Sequence, residues 1–464
     1  MPRLRLGIDI GTTTASAVLV NESKQVTASF SAPHTQSTAA ALNHLLDQVA
    51  TEIDLDAITY TAIVTNIGKE AIARGDLSRV GVLRISAPAS TSIRPAGTWP
   101  ASLASIVSGE SVVVAGGHDY TGQEFSELDR AAVRNFATRC RDTVGAIAIT
   151  GLSSTVNPHH EQEAARIIRS VLGYGIPLTL AHEIGGIGLL ERENSAILNA
   201  ALVRAFARTF QSWRNVLARR GLTDDIFFAQ NDGTLASSTE AIRHPVLTIE
   251  NTTSHAMRGA AHLSGKANSI VVHAQPHAIT FGALVDGYPT ESTLPMEIEG
   301  VRTHHRMPDL ITVHPQGLLS PDRDALTVTE RHESVSALRR IAGSRHDLAL
   351  LAVGDCAPVF HTVALSDAHR VEQVKHGTAA AAVGAAVADV SGRVDRTCDY
   401  DHRSRDSALA ETIEAARLAA VRAGADVRKV RVDSIHETPL GYTPGPGARL
   451  RVRAVGPVLE ATSI

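Results

Sequence analysis

The N-terminal segment constrains the fold more than any other stretch, because it predicts two short β-strands joined by a tight turn. Residues 4–20 read LRLGIDIGTTTASAVLV, with apolar residues at every second position on both sides of the turn. The turn consists of Gly11, Thr12, Thr13 and Thr14. Glycine lets a ligand approach the backbone, and successive N–H and hydroxyl groups can donate hydrogen bonds to phosphate oxygens.

Asp9 adds a cation ligand beside this turn, since it lies near the end of the first predicted strand. A carboxylate in that place can hold a hydrated divalent cation such as Mg²⁺ next to a bound phosphate. A plain hairpin, in which the threonines serve only strand propensity, would produce the same pattern. The segment therefore predicts either a phosphate-binding loop or an ordinary hairpin.

Length and composition indicate the general class of the protein. A chain of 464 residues is longer than one typical core, so we expect at least two domains. A net charge of −4 gives no indication of a nucleic-acid or anionic-membrane partner. The three cysteines are far apart and form no CxxC pair, which favours a reducing compartment. Because no apolar run reaches the length of a membrane span, we expect a cytoplasmic protein.

Predicted strands and helices alternate along the first half of the chain, which is typical of α/β architecture. A long helix is predicted over residues 195–222, and a second β-hairpin over residues 268–289. The second hairpin mirrors the first one. The pattern therefore indicates two related units, each built around a hairpin.

Several motifs resemble known families. The DIGTTT turn at residues 9–14 resembles the first phosphate motif of the actin, heat-shock-protein-70 and sugar-kinase superfamily. Later stretches resemble the hydantoinase A/oxoprolinase family and follow its order along the chain: PHHE at 158–161, HEIGGIGLLERENSAILNAAL at 182–202, QNDGTL at 230–235, MRGAAHLSG at 257–265, GVRTHHRMPD at 300–309 and ETPLGYTPG at 437–445. The resemblance implies an α/β fold with two actin-like (ribonuclease-H-like) lobes and a cleft between them.

The resemblance also implies a division of the chain into three parts. Residues 1–175 would form the N-terminal hydantoinase/oxoprolinase lobe. Residues 176–395 would form a second lobe of hydantoinase A type, with a helical connection at 190–222. Residues 396–464 would supply a C-terminal helix and a strand pair that packs on the lobes.

The second hairpin departs from the family pattern at the place where a second phosphate loop is expected. Residues 273–280 read HAQPHAIT, without carboxylates or paired glycines, and Pro276 lacks an N–H donor. A later turn, expected to be glycine-rich near the adenosine, reads GDCA at 354–357. Since phosphoryl transfer needs donors and compensating charge on both sides of the phosphates, ATP and Mg²⁺ turnover of the family type is in question. Nucleotide binding by the first loop alone remains open.

Histidines are concentrated around this altered hairpin. Seven lie within sixty residues: His255, His262, His273, His277, His304, His305 and His314. The spacing of His273 and His277 could place two imidazoles at one hairpin tip, which would suit zinc or another transition metal. No HExxH motif accompanies them, and solvent-facing or helix-capping histidines would give the same count.

Candidate site residues come from the stretches that match the family. His182, Glu183 and Asp232 are the candidate catalytic residues, and Asp9, Gly11, Thr12, Thr13 and Thr14 the candidate phosphate and Mg²⁺ ligands. Asn231, Arg258 and Arg302 are candidates for shaping the substrate cleft. Helix capping and a buried ion-pair network would also explain the two His–Glu pairs, His160-Glu161 and His182-Glu183. Arg302 together with Arg306 could bind a carboxylate or a phosphate bidentately, and a surface ion pair would explain Arg306 equally well.

The resemblance implies a hydrolase that opens a cyclic amide such as a hydantoin or 5-oxoproline. ATP would activate the amide oxygen by phosphorylation, and a hydantoinase B-like subunit or a second copy of the chain would be the partner. Two alternatives remain open. One is a non-enzymatic subunit of a hetero-oligomer, and the other is an ATP-independent hydrolase that uses a metal held by the new histidines.

Overall fold

The computed structural model describes residues 3–12, 14–33, 37–222, 225–323, 325–345, 347–361, 365, 371–401, 403–441 and 445–459. Thr13, one of the predicted phosphate ligands, therefore lies outside the described residues, as do residues 442–444 of the last family motif.

The strands are named in chain order. They are β1 (Leu4–Ile10), β2 (Thr14–Asn21), β3 (Val26–Pro33), β4 (Ile58–Thr65), β5 (Val80–Ala87), β6 (Ser108–Ala115), β7 (Ala146–Gly151), β8 (Leu178–Leu180), β9 (Ile226–Ala229), β10 (Leu235–Ser237), β11 (Ser269–Gln275), β12 (Ala278–Val285), β13 (Tyr288–Pro289), β14 (Met296–Ile298), β15 (Val301–Thr303), β16 (Leu310–Val313), β17 (Ala349–Val353), β18 (Val371–Gln373), β19 (Val390–Asp399), β20 (Arg431–Pro439) and β21 (Gly447–Gly456).

The helices are named in the same way. They are α1 (Thr38–Glu52), α2 (Ile67–Arg74), α3 (Ala101–Val107), α4 (Arg130–Cys140), α5 (His159–Leu172), α6 (Ala181–Ile184), α7 (Leu189–Ala218), α8 (Ser238–Arg243), α9 (Asn251–Ser264), α10 (Val328–Ala342), α11 (Ala380–Val387) and α12 (Arg405–Arg422). Short 3₁₀ turns lie at Leu55–Ala57, Pro245–Thr248, Ala357–His361, Gly377–Ala379 and Val427–Lys429. In the part of the chain that the structure describes, none of these helices combines the length and apolarity that a membrane crossing requires.

A large sheet is built on the N-terminal hairpin, in the order β20-β21-β19-β10-β9-β4-β1-β2-β3. The predicted hairpin is confirmed, because β1 pairs with β2 in antiparallel register, with Asp9 opposite Ser16. On its other side β1 pairs in parallel with β4, and β4 pairs in parallel with β9. The C-terminal strands β19 and β21 extend the same sheet, so it unites both ends of the chain. The three-part division by residue number remains a prediction.

A second sheet is built on the second hairpin, in the order β13-β12-β11-β17-β18, with β16 paired to β12. The prediction of this hairpin is confirmed, since β11 and β12 are antiparallel with His273 opposite Thr280. β17 continues the sheet in parallel with β11. A third sheet, β6-β5-β7-β8, lies in the first half of the chain, next to the long helix α7. The predicted α/β fold class is confirmed.

Two helices rich in small residues join the two hairpin-based sheets. α9 and α11 share one hydrophobic core with residues of both sheets. Their backbones are in close contact: a Cβ on Gly259 would lie 1.9 Å from the carbonyl oxygen of Ala380, and a Cβ on Gly384 1.9 Å from that of His255. Because only glycine fits at such distances, these positions set how closely the two helices approach.

A buried ion pair anchors the third sheet to α7. Arg84 of β5 is fully buried, and its Nε donates to Oε1 of Glu193 at 2.8 Å while its Nη2 donates to Oε2 at 2.5 Å. The Nη1 of Arg84 also donates to the carbonyl oxygens of Ser90 and Ile93. Since burying a charge is costly unless it is paired, this bidentate contact fixes the position of α7.

Candidate functional site

The candidate site lies where the carboxyl ends of several strands meet. β1, β4 and β9 are parallel neighbours, so their carboxyl ends lie at one edge of the large sheet. Asp9 is the penultimate residue of β1, Asn66 follows β4, and Asn231 comes two residues after β9. Ligands in α/β proteins commonly bind at this kind of edge. The fold therefore brings together residues that the sequence separates by more than two hundred positions.

The first turn of α9 connects this edge to the second sheet. Four consecutive residues, 251–254 (NTTS), each use their side chain for a contact across the site. The contacts are Asn251 Nδ2 to the Ala229 carbonyl oxygen (3.0 Å), Thr252 Oγ1 to Asn66 Oδ1 (3.2 Å), Thr253 Oγ1 with His273 Nδ1 (3.2 Å), and Ser254 Oγ to the Asn231 carbonyl oxygen (2.6 Å). This turn therefore holds β4, β9 and β11 in a fixed arrangement.

Asp9 carries the most perturbed carboxyl group at this edge. The residue is half-buried, and its Oδ1 is shielded from solvent without a hydrogen-bond partner in the described residues. Burial, followed by repulsion from the carboxylate of Asp355, raises the pKa of Asp9 to about 7. A shielded carboxylate oxygen without a partner is costly, and a perturbed pKa in a cleft is typical of a functional site.

The turn after Asp9 is tight and is closed by a backbone hydrogen bond. Gly11 donates its N–H to the carbonyl oxygen of Thr14 at 3.0 Å, and a Cβ at Gly11 would lie 2.7 Å from that oxygen. Thr12 is exposed, so its hydroxyl is free to face a ligand. Thr14 instead donates its hydroxyl to Oδ2 of Asp355 at 2.9 Å, which links the loop to the second sheet.

The polar side chains His273 and Gln275 of the altered second hairpin have hydrogen-bond partners within the protein. Gln275 donates its Nε2–H to His273 Nε2 at 2.9 Å, so the Nδ1–H of His273 donates to Thr253. Burial, and to a lesser extent the charge of Lys69, lowers the pKa of His273 to about 4. Both ring nitrogens of His273 are thus occupied, and His277 is exposed.

A metal centre at this hairpin receives no support from the structure. Among the residues described, no three or more His, Cys, Asp or Glu side chains are arranged to hold a metal ion. The transition-metal hypothesis for His273 and His277 rested on their spacing alone. In the folded chain, one of the two imidazoles is buried and hydrogen-bonded while the other faces solvent.

The candidate catalytic residues His182 and Glu183 line a cavity of about 310 Å³. Glu161, which is fully buried, accepts a hydrogen bond from His182 Nδ1 at 2.5 Å and from the His182 backbone N–H at 3.1 Å. Burial alone would lower the pKa of His182, but the Glu161 carboxylate outweighs it and raises the pKa above its ordinary value. Glu183 pairs with Arg243. Because Nδ1 is occupied, the Nε2 of His182 is the ring nitrogen left for a ligand.

Asp232 and Asn231 are held by Arg306, which is buried rather than part of a surface ion pair. Its guanidinium contacts three neighbouring residues: Nη1 lies 3.0 Å from Asp232 Oδ2, Nε donates to Asn231 Oδ1 at 3.3 Å, and Nη2 donates to Gln230 Oε1 at 3.0 Å. Burial would raise the pKa of Asp232, yet the arginines around it, chiefly Arg306, lower that pKa to about 2. Asp232 is therefore ionised and stabilised in place.

The other two predicted cleft arginines have structural surroundings. Arg258 donates its Nη1 to the carbonyl oxygen of Gly287 at 2.7 Å, and its guanidinium lies 4.0 Å from the ring centroid of Tyr288. Arg302 is 68% exposed and lies 3.3 Å from Glu191 Oε1, at a surface position. The structure therefore does not bring Arg302 together with the other candidate residues.

Sequence reasoning missed several residues of this region. Asp355 and Gln230 belong to the site, although neither was nominated within its stretch, GDCA or QNDGTL. Glu161 was considered as part of a His–Glu pair, but its contact with His182 was not foreseen. One signal was available for the α9 turn, since four polar residues in a row at a helix start exceed what capping needs. The GDCA turn was expected near the adenosine, but nothing local shows that Asp355 contacts the hydroxyl of Thr14, 341 residues away.

The fold and the site define an α/β protein of the two-lobed, actin-like type with a Gly-Thr loop in its first hairpin. Residues 5–172 match the family model described as the hydantoinase/oxoprolinase N-terminal region. This match over the N-terminal region agrees with the resemblance to the hydantoinase/oxoprolinase family seen in the motifs of the chain.

Solved structures share this fold over nearly the whole chain. An ATP-dependent caprolactamase from Pseudomonas jessenii matches with a TM-score of 0.76 and 17% identity, over 97% of this chain and 87% of that one. A nucleotide-free acetone carboxylase, from a study of ATP-dependent acetone carboxylation, matches with a TM-score of 0.66 and 13% identity, over 100% of this chain and 89% of the other. At such low sequence identities, the similarity shows a shared fold and nothing more. No curated protein sequence matches the chain.

Proposed function

We propose that this chain is a hydantoinase/oxoprolinase-type hydrolase, or a subunit of one, that opens a cyclic amide with the help of ATP and Mg²⁺. The observation that carries the proposal is the shielded, unpartnered Oδ1 of Asp9 at the edge where strand ends of both sheets meet. A protein keeps such a group at a cost of about 1–3 kcal/mol, which a ligand offsets when it binds. The family of residues 5–172 and the ATP-dependent caprolactamase of the same fold support the reaction class.

Each part of the site has a role in this proposal. Asp9 would hold Mg²⁺ through its hydration shell, and Thr12, exposed beside Gly11 in the turn, would donate its hydroxyl hydrogen to a phosphate oxygen. ATP, when bound, supplies the phosphoryl group that activates an amide oxygen. His182 and Glu183 would face the cyclic amide in the neighbouring cavity, and Asp232 would keep the cavity wall in place through Arg306.

We also propose a cytoplasmic location and a partner, either a hydantoinase B-like subunit or a second copy of the chain. Both proposals rest on the family resemblance and on the three widely spaced cysteines, which are free and buried.

The test is a calorimetric titration of the purified chain with ADP plus Mg²⁺. Wild type is expected to bind, and Asp9→Ala is expected to weaken binding at least tenfold, because the variant removes the cation ligand. Asp406→Ala is the matched control, since the Asp406 side chain is 95% exposed and lies on α12. Equal binding by wild type and Asp9→Ala would contradict the proposed role of Asp9. Ring opening of hydantoin, 5-oxoproline or caprolactam, assayed with and without the partner, then tests the reaction.

A second candidate function is that of a non-enzymatic subunit in a hetero-oligomer. One observation favours it: polar groups in both hairpins already have partners within the protein. In the second hairpin His273 and Gln275 are hydrogen-bonded to each other, and in the first the hydroxyl of Thr14 donates to Asp355. A subunit of this kind would assemble with its partner equally well as wild type and as Asp9→Ala. Activity of the assembled complex that disappears in Asp9→Ala would exclude this second candidate.

A further inference from the structure

The cavity beside His182 lies where the large sheet meets the helices α6, α8 and α12. Its walls come from α6, the residue after β9, α8, β19 and the end of α12. A volume of about 310 Å³ is at the lower end of the sizes typical of small-ligand pockets, about 300–1,000 Å³. The cavity can therefore admit a small ring but not a nucleotide-sized ligand together with it.

Gln230 carries an unpaired hydrogen-bond donor in the wall of the cavity. The residue is buried, with 3% of its surface exposed, and it lines the cavity. Arg306 donates Nη2–H to its Oε1 at 3.0 Å, and since an arginine only donates, this contact fixes which end of the amide is oxygen. The Nε2 has no partner in the described part of the chain. An oxygen acceptor on a ligand would satisfy it.

His182 offers a second donor on the same cavity. Its Nδ1 is bonded to Glu161, and the raised pKa of His182 keeps the ring protonated to a higher pH than usual. The free Nε2–H can then donate to a carbonyl oxygen. Carboxylate oxygens of Glu183 and Asp395, which also line the cavity, are acceptors for an amide N–H. The polar groups thus complement both ends of an amide.

The charges in the wall are already matched in pairs. Arg306 faces Asp232, Arg393 pairs with Glu291, and Arg243 pairs with Glu183. Asp395 accepts two hydrogen bonds from Arg449, and His182 is paired with Glu161. Arg422, at the exposed end of α12, is the lining cation without a recorded partner among the described residues, and water screens it. A ligand carboxylate would therefore meet no unpaired cation inside the cavity.

We infer that this cavity binds an uncharged cyclic amide and discriminates against rings that carry a carboxylate, with Gln230 and His182 donating to the amide carbonyl. The inference rests on the proposed function, because it names the substrate class for that same site. Burying a carboxylate without a cation is costly, whereas a neutral amide exchanges its hydrogen bonds with water for those of the wall.

The experiment compares the binding of pyrrolidin-2-one and 5-oxoproline, two rings of the same size that differ in one carboxylate. Ligand-observed NMR on the purified chain measures binding without ATP or a partner. We expect pyrrolidin-2-one to bind at least tenfold more tightly than 5-oxoproline. Gln230→Glu keeps the shape of the side chain and its contact to Arg306 but replaces the donor with an acceptor. The variant should therefore weaken the binding of pyrrolidin-2-one at least tenfold.

Three further variants locate the site and test the alternative. Ala419→Leu narrows the cavity from the half-buried face of α12 and should abolish binding of the lactam. Arg302→Ala changes an exposed side chain that does not line the cavity and should leave binding unchanged. Arg422→Ala should also leave lactam binding unchanged. Thermal unfolding of each variant establishes that it is folded before binding is compared.

The outcomes separate this inference from the proposed function. Tighter binding of 5-oxoproline, lost in Arg422→Ala, would overturn the inference, as would no binding of either ring. Lactam binding that depends on Gln230 supports the inference even if no ring opening is found, a result that would count against the proposed function alone. Ring opening by Gln230→Glu at the wild-type rate would support the proposed function and overturn the inference.

Discussion

Asp9→Asn is expected to make the protein more stable above pH 7 while it removes the proposed cation ligand. The carboxyl group of Asp9 sits beside Asp355 with its Oδ1 shielded, and its pKa is raised from 3.8 to about 7. Asparagine has nearly the same shape and stays uncharged. The variant therefore removes the cost of holding a charge in this place.

The magnitude follows from the two pKa values. In the folded state Asp9 keeps its proton up to about pH 7, whereas in the unfolded state it loses the proton near 3.8. The unfolded state thus binds fewer protons across this window, so the stability of wild type falls as the pH rises through it. At about 1.4 kcal/mol per pH unit the full cost is about 4 kcal/mol. Because Asp9 is only half-buried, solvent screening reduces the expected value to about 2 kcal/mol.

The assay is the thermal midpoint of wild type and Asp9→Asn between pH 4 and pH 8.5. The advantage of the variant should be near zero at pH 4, grow as the pH rises, and level off above about pH 7. Asp406→Asn, at a side chain that is 95% exposed, is the control and should show no such trend. Added Mg²⁺ should narrow the gap at high pH, because it stabilises the ionised form of Asp9 alone.

Two results would refute the reasoning. A difference between the two proteins that stays constant with pH would mean that Asp9 does not titrate in this window. A variant less stable than wild type at pH 8 would mean that the Asp9 carboxylate has a partner that stabilises its charge.

Three further predictions concern single contacts. Gly354→Ala should destabilise the fold by about 3 kcal/mol, because the residue has a φ of +98° and its Cβ would lie 2.4 Å from a backbone oxygen; the thermal midpoint measures this. Arg84→Met should cost about 3–5 kcal/mol in unfolding free energy, since it leaves the fully buried Glu193 without its cation. Glu161→Gln should lower the pKa of His182, which NMR titration of the ring measures. The variant should also be less stable than wild type at low pH, and this difference should shrink as the pH rises through the raised pKa of the wild-type histidine.

The first two of these predictions have a matched control, and the third has an outcome that would contradict it. Gly173→Ala shares a positive φ but has no atom within 4 Å of the new Cβ, so it should cost only about 1 kcal/mol. A double variant, Arg84→Met with Glu193→Leu, should recover part of the loss, because neither charge is then stranded. A His182 pKa unchanged in Glu161→Gln would show that the short contact between the two side chains contributes no net charge interaction.

Much of the local structure could be predicted because it follows from patterns a few residues long. Apolar residues at every second position predicted the hairpins of β1 with β2 and of β11 with β12, and both are present. The long helix was predicted over residues 195–222 and runs over Leu189–Ala218. The family resemblance placed the start of this helical connection at residue 190, but the apolar periodicity missed it because buried polar residues such as Arg192 and Glu193 break the apolar period there.

The candidate site was only partly predictable, because its chemistry depends on distant contacts. Asp9 and His182 could be nominated from their motifs, but nothing near them in sequence shows that Asp9 faces Asp355 or that His182 is paired with Glu161. From the sequence, Arg306 could equally well have formed a surface ion pair; only the folded structure shows that it is buried beside Asp232. Side-chain spacing along one hairpin suggested a metal site at His273 and His277 that the folded arrangement does not support.

The sequence by itself determined the hairpins, the α/β class and the resemblance to the hydantoinase/oxoprolinase family, since these are encoded in residue type, periodicity and local motifs. Only the tertiary structure decided which charges meet. The carboxyl ends of the parallel strands β1, β4 and β9 lie at one edge, and there Thr14 reaches Asp355 and Arg306 reaches Gln230. The ionisation of Asp9 and the unpaired donor of Gln230 arise from that packing, because burial and the distance between charges are properties of the folded chain.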